Sequence, residues 1–405
     1  MSSGSVKEES YDFGRKNMSR ILTVGPSPFN NTAESKIHAD ILRHFKHQSV
    51  AASVWHHVSD YYMPDAKGKF YFDNWNCQLF VLEEDKVASL YEQMKAFNPN
   101  VLISIGDYDD SVFPAAIKKM YPTLFQWIGI ICPKSVPFND KFKDAINYLD
   151  YAFLTSAFNE FKEFCDVDAE YLPYRPNLNA QPEYDLADCL RISAISKNSQ
   201  QSNIAVLMKT VEQFAQTHKI KCYLHTNVDD KGDYDIHQLH EECSSIDLPV
   251  EFVSFYSGIS DEELMRRIAA SDTFVDCSMS SATGLSAYEA AYLGNIPIAT
   301  NTGGLKDLFD NCEDVQSCLM DGINFFDNKE GVMKIISQNE LYNKLMLHYK
   351  LWENDPDKFV AIKQKMHCLA SGLISNNFGN RIEEKMEILM KNNKQQLTID
   401  SIGIS

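Results

Sequence analysis

In "SSATGLSAYEAAYLGNIPIATNTGGL", residues 280–305, a small-residue loop runs into a short helix, a buried strand and a Gly-Gly turn. The helix begins around Thr283 to Ser286. The first amides of a helix have no partners within it, and its dipole gathers partial positive charge there. Gly284 removes side-chain bulk, so an anion can approach the backbone around Ser281, Ala282, Thr283, Gly284 and Leu285. Glu289 follows about one and a half turns later, where a carboxylate can accept two hydroxyls of a ribose. Together they suit a nucleoside diphosphate, with phosphates at the amides and the pentose on Glu289. The plainer reading is a glycine that packs a turn and a glutamate that faces water.

Other residues carry weaker chemistry. His56 and His57 in "SVWHHVSDYY" are weak candidates for contact with sugar hydroxyls, against two histidines bonded to backbone. "GDYDDSVFP" sets Asp107, Asp109 and Asp110 at the C-terminal end of a strand, where α/β folds bind ligands. Capping of the next helix accounts for at least one of them. "NVDDKGDYD" (227–235) reads as a solvated loop, and "KFYFDNWNCQLFVL" (69–82) as a hairpin or flap.

The elements that must position these residues alternate β and α. "ILTVG", "VLISIG", "LFQWIGII" and "YAFLTS" each precede an amphipathic run, and the strands lack strict alternation. That is the pattern of parallel sheets covered on both faces. The polar stretch "YRPNLNAQPEYDLADC" (174–189) interrupts the rhythm, which restarts with "RISAIS", "KCYLHT", "EFVSFY", "TFVDCS" and "IPIAT". The reading is therefore α/β, with two domains in tandem. Residues 1–17 read as a disordered leader, "RIEEKMEILMKN" as the last strong helix, and 395–405 as a flexible tail.

At 405 residues, 44% hydrophobic and 23% charged, the chain suits two globular cores. A formal charge of −18 argues against a nucleic-acid partner and demands local donors for any anionic ligand. Ten cysteines without ligand spacing, and no apolar signal core, predict reduced thiols, no zinc site and a cytoplasmic location. No apolar run approaches the roughly 18 residues of a transmembrane segment.

Over at least residues 190–330 the chain resembles family 4 glycosyltransferases, whose donor motif runs S-x-x-E-G-F-G-L-P-x-x-E-A-M-A-x-G-x-P-V. The chain offers Ser278, Ser281, Gly284, Glu289, Gly294 and Pro297 in that order. "YSGISDEELMRRIAASDTFVDCS", "TNTGGLKDL" and "DGINFF" are similar to the segments around that motif, and "CYLHTN" and "GPSPFNNTAESKIHADIL" to others, the latter in a phage-like branch. The resemblance implies the GT-B architecture: an N-terminal acceptor-side Rossmann-like domain (18–175) and a C-terminal donor-side one (176–375) facing a central cleft. A helix (376–394) would cross back to the first domain.

It also implies transfer of sugar from a nucleotide sugar, UDP- or GDP-linked, to a glycan or other hydroxyl acceptor, retaining and metal-independent, without a further cofactor. The catalytic residues implied are Lys197 and Glu289, and the donor contacts are Ser281–Leu285, His225, Asn31 and Thr32. Several positions depart from the family pattern. Ser281 replaces the first glutamate of E-x7-E, Ser202 a phosphate-binding Lys, and Ala33-Glu34-Ser35 the Gly-Phe-Gly loop. Pro173-Tyr174-Arg175 stands at "P-H-G", and "WIGIICPKS" lacks the usual His. Arg175 or Lys209 is a candidate for the missing charge. The alternatives are an inactive carbohydrate- or nucleotide-binding protein of the same fold and, less favoured, a sugar-nucleotide epimerase.

Overall fold

The computed structural model describes residues 19–402 except 30–31, 55–68, 73–74, 107, 135–139, 158–165, 177, 227–231, 244–249, 253–258, 310–317, 328–330 and 375–376. The expected leader, with Asn31, His56, His57 and Asp107, lies outside the described residues.

The N-terminal domain is built on an eight-stranded sheet ordered β3-β4-β2-β1-β5-β6-β7-β8. Its strands are β1 (Arg20–Gly25), β2 (Ser49–Val54), β3 (Lys69–Phe72), β4 (Trp75–Val81), β5 (Val101–Gly106), β6 (Gln126–Ile131), β7 (Tyr151–Leu154) and β8 (Ala169–Tyr171). All neighbours are parallel except β3 and β4, which form the hairpin read from the sequence. Every residue of "VLISIG" is buried, which explains why that strand does not alternate.

The C-terminal domain holds a fully parallel six-stranded sheet ordered β11-β10-β9-β12-β13-β14. Its strands are β9 (Leu190–Ile195), β10 (Ile220–His225), β11 (Val250–Phe252), β12 (Thr273–Asp276), β13 (Ile296–Thr300) and β14 (Leu319–Met320). A two-stranded hairpin, β15 (Ile323–Asp327) with β16 (Gly331–Ile335), follows. Beneath this sheet Asp272 is fully buried and receives Lys363 at 3.0 Å and Arg191 at 2.9 Å, tying helix Pro356–Gly372 to the starts of β9 and β12.

Both sheets reverse their strand order once, between β1 and β5 in the first domain and between β9 and β12 in the second. A crevice opens at such a point beyond the strands' C-terminal ends, because neighbouring loops leave in opposite directions. The two crevices face each other. Lys36, from helix Ala33–His44 after β1, meets Glu289 at 2.8 Å. The last helix, Phe378–Ile402, returns to the first domain, where Glu383 accepts from His44 and Gln48 and Arg381 pairs with Glu170.

That helix runs further than the sequence reading allowed. Residues 395–402, read as part of a flexible tail, continue it, since the segment contains no glycine or proline before Gly403 to stop it. Five described cysteines, at 132, 189, 222, 277 and 318, are buried and form no disulfide, and burial pushes the Cys222 thiol up to about 12. No helix among the described residues is long and apolar enough to cross a membrane.

Candidate functional site

Between the two domains lies a cavity of about 300 Å³. Its wall combines Ala33, Glu34 and Lys36 from the first domain's β1 side with Lys134 from beyond β6. The second domain contributes Ile195 at the end of β9, His225 at the end of β10, Asp261 and Leu264, and the run Ser280–Thr283 with Leu285, Ser286 and Glu289.

The 280–289 run is shaped by three glycines. Helix Leu285–Tyr292 starts at Gly284, whose φ of +59° is left-handed. A Cβ there would sit 2.3 Å from the Gly304 carbonyl oxygen. A Cβ on Gly303 would lie 2.2 Å from Ser281 O, and one on Gly304 2.4 Å from the Thr283 carbonyl carbon. The two turns thus interlock backbone to backbone, sealed by Gly304 N donating to Ser281 O at 2.9 Å. This corrects the reading of Gly284 as clearance for an anion: the space it leaves is filled by the next turn, and Gly284 does not line the cavity.

The helix front is also less bare than expected. Gly284 N donates to Ser281 Oγ at 3.1 Å, and Leu285 N to Thr283 Oγ1 at 3.3 Å. Ser281, where the family pattern has glutamate, thus closes the turn before the helix, whose N-cap is Gly284 itself. The N-terminal domain grips the same turn. Thr155 Oγ1 donates to Ala282 O at 3.4 Å, and Arg175 donates to Thr283 O at 2.7 Å. Arg175 is buried and lies over the Tyr288 ring, so it holds the loop and does not itself line the cavity. Lys209 is exposed on helix Ile204–Ala215 and does not line the cavity, which disposes of the other candidate for the missing charge.

Glu289 is buried, 3% exposed, and lines the cavity. The solvated-glutamate reading is therefore overturned. Burial lifts its carboxyl above the usual range, and the Lys36 ammonium pulls it back. Burial weighs against the charge on Lys36, but Glu289, with Asp261 and Asp40 further off, holds its pKa above the ordinary lysine value.

His225 lines the wall, and its pKa is lowered by burial and by Arg267 nearby, so the ring is neutral at pH 7. Thr32 caps the helix that bears Lys36: its hydroxyl accepts from Ser35 N at 3.2 Å and is not part of the wall. Lys197 is exposed on the turn after β9, two residues beyond Ile195, and is not itself among the wall residues. Among the described residues no cluster of three His, Cys, Asp or Glu side chains is arranged to hold a metal ion.

Lys36 and Lys134 are the site residues that sequence reading missed. For Lys36 a signal existed: a cation in the first turns of a helix opposes the dipole and implies a partner elsewhere. Lys134 stands beyond a parallel strand's C-terminal end, where ligand contacts gather.

Residues 235–349 match the family described as Glycosyl transferases group 1. A search of curated protein sequences finds no relative. Among solved structures, the chain is similar to sucrose-phosphate synthase from Thermosynechococcus elongatus, with a TM-score of 0.71 and 14% identity over 92% of this chain and 100% of that one. It is similar to Anabaena HepE, solved with UDP and glucose, at 0.64 and 14% over 91% and 99%. A trehalose-6-phosphate protein from E. coli, solved with UDP-2-fluoro glucose, matches at 0.65 and 12% over 91% and 99%. The fold is GT-B, with two Rossmann-like domains.

Proposed function

We propose that the chain is a glycosyltransferase that moves a sugar from a nucleotide sugar to a hydroxyl of a glycan or other acceptor. The observation that carries this reading is the cavity at the facing strand-order reversals, with Glu289 buried in its wall beside the 281–285 turn. Lys36 already pairs the buried Glu289 carboxylate, and a charged pair set in the wall of a cavity between two domains, not in a core, suits a polar ligand. The group 1 domain and the UDP-bearing relatives of the same fold agree with it.

In this reading Glu289 accepts the ribose diol, and the 281–285 turn faces the diphosphate. The N-terminal domain presents the acceptor. Retention of anomeric configuration, independence of metal and a cytoplasmic setting belong to the proposal and rest on the family resemblance. Leaving-group charge is then met by the protein's own donors, the largest single electrostatic task in such a transfer.

A thermal-shift panel of UDP, GDP, ADP and their sugars tests it. One nucleotide should raise the melting temperature, and Glu289→Ala should remove that shift. Slow hydrolysis of the matching sugar nucleotide, undiminished by EDTA and releasing sugar of unchanged anomeric form by NMR, should follow. A chain indifferent to every nucleotide would refute the reading.

A further inference from the structure

The family pattern places its phosphate-binding cations on the donor-side domain, at Lys197 and Ser202 of this chain. One has lost its charge, and the other, exposed two residues beyond the wall residue Ile195, is not itself in the cavity wall. A diphosphate brings two or more negative charges to a protein that carries −18. Some cation must stand at the cavity, because burying an unpaired anion there is costly.

The lysines in the cavity wall are Lys36 and Lys134, and both come from the N-terminal domain. Lys134 lies against the interlocked turns: its carbonyl oxygen is 3.4 Å from where a Cβ on Gly303 would be, and Gly303 in turn abuts Ser281 O. That sets residue 134 opposite the 281–285 turn, where the diphosphate of a ligand gripped by Glu289 would pass. Lys36 is already at Glu289, so its ammonium stands at the pentose end of the same path. The wall also holds Glu34 and Asp261, which raises the need for both cations.

Resting on the transferase reading, we infer that Lys134, assisted by Lys36, holds the donor diphosphate, so that the counter-charge has moved from the donor domain to the acceptor domain. Donor binding then requires both domains, because the pentose contact and the 281–285 turn sit on one and the phosphate-neutralising cations on the other.

Calorimetric Kd values for UDP, GDP and ADP, measured on the full chain and on Lys134→Ala, Lys134→Arg, Lys36→Ala and Lys197→Ala, test this. For the diphosphate that binds, Lys134→Ala should weaken affinity about 10- to 100-fold, the worth of a charge-assisted contact. Lys134→Arg should recover most of the loss, which a misfolded variant would not do. Lys36→Ala should weaken it too, and Lys197→Ala should cost less than either. Tight binding by Lys134→Ala, or a larger loss in Lys197→Ala, overturns the lysine assignment and leaves the transferase reading standing. If the unaltered chain binds none of the three, both fall.

Discussion

Lys36 and Glu289, 253 positions apart in sequence, meet at 2.8 Å across the cleft, the lysine about a quarter exposed and the glutamate almost wholly enclosed. One residue of the first domain thus neutralises the carboxylate that the second domain holds out to a ligand. The pair fixes the domains' approach and sets the charge state of the site.

Removing the lysine should steepen a pH dependence that the parent already has. In Lys36→Met, Glu289 stays buried without its cation, and its pKa rises further above the unfolded value. A carboxyl raised in the folded state contributes stability that is complete below the unfolded pKa and is lost as pH rises through the folded one. Lys36→Met should therefore lose more stability relative to the parent at pH 8 than at pH 5, by about 1 to 3 kcal/mol. Urea denaturation at the two pH values measures it. An equal loss at both would contradict the burial of Glu289.

The parent protein should weaken in acid for a different reason. Burial holds His38 and His348 down to about 4 each. His38 is locked as the Nδ1–H tautomer, since Nδ1 donates to Pro26 O at 2.7 Å and Nε2 accepts from Thr23 Oγ1 at 2.7 Å. Below about pH 6.5 the unfolded chain takes up protons that these rings refuse. Stability should fall from there to about pH 4, by on the order of 3 kcal/mol per histidine. His38→Gln should flatten part of that slope in a denaturation series.

Gly284→Ala should be severe. It forces a Cβ against Gly304 O and places alanine in left-handed backbone, which alone costs about 1 to 2 kcal/mol. The expected result is a drop in melting temperature together with loss of nucleotide binding. Gly372→Ala, where a Cβ meets nothing within 4 Å, serves as the contrast and should leave both unchanged or slightly improved.

Asp272→Asn should destabilise the C-terminal domain by about 3 to 5 kcal/mol, because it leaves the buried Lys363 without its countercharge. Asp272→Asn with Lys363→Met should recover part of the loss in the same melts. If the single variant is as stable as the parent, the network does not anchor the domain.

The letters of this chain were enough to state two parallel α/β domains, because buried strands and amphipathic helices write their periodicity locally. "VLISIG", "RISAIS" and "IPIAT" fall on strands within a residue or so of their expected limits. The order of the donor motif likewise put Glu289 and Ser281 on the page before any coordinates. What Gly284 is for was not legible there, since its reason is a turn twenty residues later that closes on it.

Nor could sequence alone decide which cations face the cavity. Lys197 matches a motif and is not in the wall, whereas Lys36 and Lys134 match none and line it. Local pattern determines which elements form, because hydrogen bonding and burial along one segment are short-range. Which charges end up within a few ångströms of each other depends on how two separately folded sheets dock, and only the tertiary structure contains that.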